Sequence, residues 1–528
     1  MNVPLGKAYT EAENNFVRME PLIVKATLMP VLLSLLLAAT VQLMAEAQAS
    51  AGRPCLVPWP KKVAMRTGSF SFPAKLAIKV TGKDTEAANR VAVTLAADLR
   101  EAGFAATVTQ EKRVAGPKIV LSLSLEKSLG SEGYRLGVNR DIRISAPTEQ
   151  GLFWGTRTLL QLLAKGPGQP VSRMMILDKP EFGFRSLLMD TARELHSIDF
   201  HRRTVKRLAQ YKVNVYHIHF TDDQSWTLPS QAFPSLPTPG RHYTKEDLQG
   251  LVKLAAEYHV TIMPEIEMPG HSSTLCAAVP DVVCRGKQPR WMTCAGSEKS
   301  FAALTTLVGE AMDIFPGPYF HIGADECDFP IWDGCPDCEA VKAREGLTDN
   351  EALYNWFINR MNGFVKSKGR KTVIWEGFKV GKEPIVDKDI LVVEWNNKEA
   401  LPADLMNAGY DITNSSSGSL YICKHWKVQA PTPELVAEWN AQYFGGGYPA
   451  KSLDVMNNVP HNQRLKGVGF CSWENEERSE DSMLFGIGDK VEGYADPAPR
   501  IQIMAERAWT GSATSAEDLL TRVGVTAK

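Results

Sequence analysis

At 528 residues, 44% hydrophobic and 23% charged, the chain has the make-up of an ordinary soluble globular protein, too long for one small domain, and two or three are expected. Its 59 basic residues balance 60 acidic ones for a net charge of −1, which removes any electrostatic basis for a nucleic-acid partner. Twelve Trp and 13 Tyr offer flat apolar faces with polar tips, which suit sugar rings and packed cores alike.

Residues 1–50 read as a leader. Ala26–Ala45 is an apolar run preceded by Lys25 and followed by Ala45-Glu-Ala47 and Ala47-Gln-Ala49, the layout of a secretory signal with small-residue cleavage sites. Translation from Met19 would drop most of the charged stretch ahead of Lys25. A run of about 20 apolar residues also suffices to span a bilayer, so retention as a membrane anchor is the alternative. Export is expected in both cases, with a membrane as partner only if the run is retained. Nine cysteines follow, six of them between Cys276 and Cys338, which suits disulfide-pinned loops in an oxidising compartment. Cys335-Pro-Asp-Cys338 has the spacing of half a zinc site. No second pair lies at zinc-ribbon spacing, so neither a metal nor a cofactor is expected.

Residues 55–180 alternate short β-type runs with helical patterns. Lys118–Leu125 and Ile142–Ser145 read as strands. Val91, Ala92, Leu95, Ala96 and Leu99 fall at helical spacing within Ala88–Leu99, and Gly151–Leu163 repeats the pattern before the breaker Gly166-Pro-Gly168. This is a small α+β domain. From 181 to 528 the rhythm becomes strand, then helix. Predicted strands are Arg185–Asp190, Val213–Phe220, Val260–Ile266, Tyr319–Gly323, Thr372–Trp375, Ile390–Trp395, Tyr410–Asn414 and Gly467–Trp473. Helical faces fall between several of them, one around Leu248–Ala256 and one around Leu353–Phe364 with Thr348 and Glu351 as a capping box. Eight strands alternating with helices predict a (β/α)₈ TIM barrel, an α/β fold.

Polar and aromatic residues recur at the C-terminal ends of these strands, the face where such barrels keep their active sites. They are Asp190; His217, His219, Asp222 and Asp223; Glu265, Glu267 and His271; His321, Asp325 and Glu326; Trp375; Trp395; Tyr421; and Trp473-Glu474. Acids and aromatics with few bases describe a neutral polyhydroxylated ligand better than a phosphate. Asp325-Glu326 follows Tyr-Phe-His-Ile-Gly323. Neighbours on a strand point to opposite faces, so both carboxyls can serve one pocket only where the chain turns past the strand end.

At these residues the chain resembles glycoside hydrolase family 20, the exo-acting β-N-acetylhexosaminidases. The matching stretches are Gly183-Phe-Arg-Ser-Leu-Leu-Met-Asp190, Asn214–Trp226, Pro264-Glu-Ile-Glu-Met-Pro-Gly-His271, His321-Ile-Gly-Ala-Asp-Glu326, Trp473-Glu474 and Met504-Ala-Glu-Arg-Ala-Trp509. Glu132-Gly-Tyr-Arg-Leu136 and Gly151-Leu-Phe-Trp-Gly155 resemble the domain preceding the barrel in that family. The resemblance implies release of terminal β-linked N-acetylhexosamine (GlcNAc or GalNAc) from oligosaccharides or glycoconjugates. Most retaining glycosidases use two carboxylates about 5–5.5 Å apart across the scissile bond; this family is a substrate-assisted exception. By resemblance Glu326 is the general acid and then base, Asp325 orients the 2-acetamido group, and Tyr421 hydrogen-bonds its oxygen. Arg185 and Glu474 would grip the ring hydroxyls at C3 and C4, and Trp375, Trp395 and Trp473 would wall the pocket. Asp190, His219, Asp222, Asp223, Glu267 and His271 would form the supporting network, or simply brace loops as any barrel mouth requires.

The sequence departs from the family at Ala324, where a second glycine is usual, a change expected to be tolerated. It also departs at Cys423, where the family often has an Asp that contacts the C6 hydroxyl. Thiols are weak hydrogen-bonding groups, so tolerance of a substituted C6, including a sulfated one near Lys424 or His425, is expected. Alternatives at this point are a disaccharide-releasing lacto-N-biosidase relative, a 6-sulfo-GlcNAc-specific relative, and a non-catalytic sugar-binding protein on the same fold.

Overall fold

The computed structural model describes residues 53–82, 85–111, 113–285, 287, 291–422, 433–445, 456–473, 498–511 and 514–524. The run 26–45, the segment Cys423–His425 and Glu474 lie outside the described residues. Among the described residues no helix is long and apolar enough to cross a membrane.

Seven strands form the first sheet: β1 (Lys62–Ser71), β2 (Lys75–Thr81), β3 (Ala105–Thr109), β4 (Lys118–Leu123), β5 (Tyr134–Val138), β6 (Ile142–Ala146) and β7 (Pro170–Asp178). Their order is β1-β7-β5-β6-β4-β2-β3. Alternation along β5 buries Tyr134, Leu136 and Val138 on one face. Helices Thr85–Glu101 and Glu149–Leu162 pack on the sheet and bury the predicted residues Val91, Ala92, Leu95, Ala96 and Leu99. Thr148 opens the second helix by accepting from Gly151 N at 3.1 Å.

Eight parallel strands follow: β8 (Phe184–Asp190), β9 (Val215–His219), β10 (Thr261–Met268), β11 (Tyr319–Gly323), β12 (Lys371–Trp375), β13 (Leu391–Glu394), β14 (Asp411–Asn414) and β15 (Leu465–Ser472). Each pairs with the next, and β15 pairs with both β14 and β8, so the sheet closes into a barrel. The TIM barrel predicted from strand–helix alternation is therefore present, with strand ends shifted by a residue or two. Strands of this kind are covered on both faces: every residue of β8 and β9 is buried. Inward-facing Phe184, Leu188, Val215, Met263, Val373, Leu391 and Cys471 make an apolar floor. The outward set, including Leu187, Tyr216, Ile218 and Ile262, joins the large core under the helices.

Arg185 is not at the barrel mouth. It lies at the opposite, N-terminal end of β8, fully buried, where its guanidinium donates to Glu132 Oε2 at 2.5 Å and to Phe182 O at 2.7 Å. Strand direction is the reason: five residues at about 3.3 Å each separate it from Asp190 by roughly 16 Å. Together with Lys212, which reaches Asp178 at 2.9 Å, it joins the first sheet to the barrel. A second difference concerns the helix Asn350–Ser367. Its cap is Asp349, which accepts from Ala352 N at 2.9 Å, and not the predicted Thr348–Glu351 box.

Candidate active site

The pairing register lines up Asp190 with His219, His219 with Glu265, and Glu265 with His321, so four polar residues form a belt across β8 to β11. Glu265 is the hub. It accepts from His219 Nδ1 at 2.7 Å and Trp375 Nε1 at 2.6 Å, with His217 Nε2 at 3.0 Å and His321 Nδ1 at 2.9 Å. Burial alone would raise this carboxyl, but the imidazoles of His321, His219 and His217 outweigh it and hold Glu265 well below the usual range. Burial likewise opposes a charge on His219, yet Glu265 and Asp222 raise it to about 10; it is an imidazolium donating from both nitrogens. His217 has less support, and burial lowers it to about 4.

Asp222 is a second hub, between His219 Nε2 at 2.8 Å, Arg193 Nη2 at 2.7 Å and His271 Nδ1 at 3.3 Å. Desolvation of His271 is overcome by its bonds to Asp222 and Glu326, which push the imidazole up to about 12. The other face of that cation meets the acid pair: Nε2 is 3.3 Å from Glu326 Oε2 and 3.9 Å from Asp325 Oδ2. Asp325 and Glu326 therefore address a common side.

The backbone achieves this with a run of left-handed steps: φ is 70° at Gly323, 85° at Ala324 and 46° at Glu326. These steps undo the alternation that would separate adjacent side chains on a strand. Gly323 has no substitute, because a Cβ there would lie 1.8 Å from Glu267 Oε2. Tyr354 donates its hydroxyl to Ala324 O at 2.5 Å and pins the turn. Asp325 Oδ1 is buried with no hydrogen-bond partner among the described residues, and burial raises the carboxyl to about 6. Glu326 differs: its side chain is 52% exposed, and the bond to His271 holds it below the usual range. Glu267, buried beneath them, is pushed well above the usual range by burial and then by Asp325, which favours its neutral form.

The aromatic residues close the sides. Trp375 and Trp473 have ring centroids 5.8 Å apart, Tyr421 lies 6.0 Å from Trp473, and Trp395 stacks on Tyr421 at 6.4 Å. Tyr421 arrives there on a two-residue strand paired with Cys471 at the top of β15. Asp190 accepts from Ala192 N, Arg193 N and Arg193 Nη1, each at 3.0–3.1 Å. Asp223 braces a loop instead, accepting from Ser273 N at 2.9 Å and Ser273 Oγ at 2.6 Å.

A further basic residue at the mouth is Arg193, which spans Asp190 and Asp222 and lies 5.5 Å over Trp473. Sequence reasoning missed it. The signal was there, a base three residues past Asp190 on the C-terminal side of the strand.

The family model described as "Glycosyl hydrolase family 20, catalytic domain" matches residues 182–512, and that for domain 2 of the same family matches 53–179. The chain belongs to glycoside hydrolase family 20. It is 28% identical over 501 residues to a beta-hexosaminidase of Porphyromonas gingivalis, covering 86% of this chain and 60% of that one. It is 27% identical over 475 residues to a Vibrio furnissii beta-hexosaminidase, covering 83% and 76%. A Vibrio harveyi family 20 exo β-N-acetylglucosaminidase solved with N-acetylglucosamine superposes with a TM-score of 0.71 at 22% identity, over 89% of this chain and 76% of that one. The likeness to that structure is one of fold. The family's two matched segments correspond to the first sheet and the barrel.

Proposed function

We propose that this chain is an exo-acting, retaining β-N-acetylhexosaminidase that releases terminal β-linked N-acetylhexosamine by substrate-assisted catalysis. The observation that carries the reading is the pair Asp325–Glu326 turned to one side of His271, with one buried Asp325 oxygen that has no partner among the described residues. An acceptor left open in a buried site is what an incoming amide N–H can fill. The beta-hexosaminidase names of the relatives point the same way.

In this mechanism Asp325 Oδ1 accepts the N–H of the 2-acetamido group, and the hydroxyl of Tyr421 donates to its carbonyl oxygen. That oxygen attacks C1 while Glu326 protonates the departing glycosidic oxygen. An oxazolinium forms, its positive charge beside the Asp325 carboxylate. Glu326, now a carboxylate, takes a proton from water; the water attacks C1 and the ring reopens with retention. Holding the amide against C1 makes the attack intramolecular. Before the first step Glu326 must be protonated, and a sugar covering its exposed half raises its pKa by desolvation. Arg193 takes the part of gripping outer ring hydroxyls that the resemblance gave to Arg185, and the tryptophans pack against the sugar and its acetyl group.

The test is turnover of chromogenic β-GlcNAc, β-GalNAc and β-glucoside substrates by the full chain, with Glu326→Gln beside it. Hydrolysis of the N-acetylated glycosides alone, strongly reduced by Glu326→Gln for poor leaving groups, is expected. Equal cleavage of the glucoside, or binding without turnover, overturns the reading; disaccharide release from an extended substrate reassigns it.

A further inference from the structure

Four cysteines from two loops converge away from the acid pair. Cys284 follows the short turn Pro280–Val282, Cys294 precedes the helix Glu298–Ile314, and Cys335 and Cys338 bracket the start of the helix Pro336–Glu345. All four are buried, none more than 3% exposed. Their sulfurs all lie within 4.8 Å of one another, and Cys294 Sγ is 3.7 Å from Cys335 Sγ and 3.6 Å from Cys338 Sγ. None of the eight described cysteines forms a disulfide, so the expected disulfide-pinned loops are not what the geometry presents.

We propose that Cys284, Cys294, Cys335 and Cys338 hold one tetrahedral zinc ion that clasps two active-site loops. A disulfide needs sulfurs about 2.05 Å apart. Zinc–thiolate bonds of about 2.3 Å set tetrahedral sulfurs at about 3.8 Å from each other, the spacing seen around Cys294. The donor set is four soft thiolates, enough to fill a tetrahedral shell, and such closed sites are structural. Cys335-Pro-Asp-Cys338 supplies two ligands from one helix start. Gly296 lets the two segments touch: a Cβ there would be 2.5 Å from Cys338 Cα.

What the ion would hold is specific. The stretch that ends at Cys294 runs beside the His271 turn, with Ser272 N donating to Trp291 O and Thr293 N to Pro269 O, both at 2.8 Å. The stretch that ends at Cys335 begins at Asp325–Glu326. Met292 Sδ accepts from Asp328 N at 3.0 Å, and Trp332 Nε1 donates to Thr293 O at 2.9 Å. One ion at the four sulfurs thus fixes the loop carrying the acid pair against the turn carrying the histidine that faces it.

Metal analysis of the full chain, purified without chelator, is the test. One zinc per chain is expected, released by a mercurial reagent together with its four thiols, and lost in Cys335→Ser/Cys338→Ser. Replacement by cobalt should give thiolate charge-transfer bands and tetrahedral ligand-field bands, which need no activity to be read. A metal-free chain overturns the proposal, whether the four sulfurs are reduced or paired in two disulfides. Full zinc retention by the double variant also overturns it. If that variant does not fold, the zinc-to-thiol release ratio of the unaltered chain decides.

Discussion

Asp325 carries a cost of burial in its ionised form. Its folded carboxyl sits at about 6 against an ordinary 3.8, with burial as the main cause. The sign follows: above pH 6 the buried anion destabilises the fold, and the penalty fades as pH falls toward 4. Two pKa units correspond to about 3 kcal/mol at most. Asp325→Asn should therefore raise the unfolding free energy at pH 8 by roughly 1–3 kcal/mol while cutting hydrolysis about 100-fold or more, a trade of stability for function. Urea titration of both proteins at pH 8 and pH 4 checks it, and the stabilisation should shrink at the lower pH. By the same titration, on the proposed mechanism, kcat/KM of the unaltered chain should fall below pH 6, because the neutral acid no longer stabilises the positive charge of the oxazolinium. Arg193 makes a second case. Arg193→Lys keeps a cation beside Asp190 and Asp222 but loses the fork that spans both, so kcat/KM should drop about 10- to 100-fold. Arg185 lies within β8 and Arg193 just past its end, and a motif match alone ignores which end of the strand faces the mouth.

At the scale of elements, the turn after β11 shows how a strand delivers two adjacent acids to one place. Gly323 and Ala324 both take left-handed backbone, and at Gly323 an added Cβ would also press on a neighbour. Gly323→Ala should cost about 3 kcal/mol or more, since the added carbon collides with the Glu267 carboxyl and is strained by its φ. Ala324→Gly should do the reverse, relieving about 1 kcal/mol of left-handed strain and returning part of it as chain entropy, for a net gain near 0.5 kcal/mol. Thermal unfolding of the two variants gives the signs. The barrel strands were legible because parallel strands buried on both faces leave apolar runs, as in Leu391-Val392-Val393. The convergence of the cysteines was not: Cys284 and Cys294 are about as close in sequence as other loop neighbours, and only the fold brings Cys335 and Cys338 against them. The helix cap at Asp349 shows the same limit at short range. Thr348 and Asp349 are both good caps, and the choice between them is made by where the backbone turns.

At the scale of the molecule, the first sheet and the barrel are joined by charges that neither part could bury alone. Glu132 meets Arg185 and Trp154 Nε1, and Asp178 accepts from Lys212 Nζ, Tyr134 and Trp509 Nε1. Lys212 and Asp178 are wholly enclosed, and Arg185 lies 4.9 Å from the Trp509 ring. Removing one member of such a pair strands the other charge without solvent, which costs about 3–5 kcal/mol. Glu132→Ala should lose that much stability, yet leave kcat per folded molecule unchanged because Arg185 is at the far end of the barrel from Asp325. It should also split the unfolding: in the unaltered chain, far-ultraviolet dichroism and Trp fluorescence are expected to trace one transition, since the sheet and barrel lose their shared charge network together. In Glu132→Ala the two probes should separate, with the sheet released first. Coincident curves for the variant, at undiminished midpoint, would show that this network does not couple the two parts.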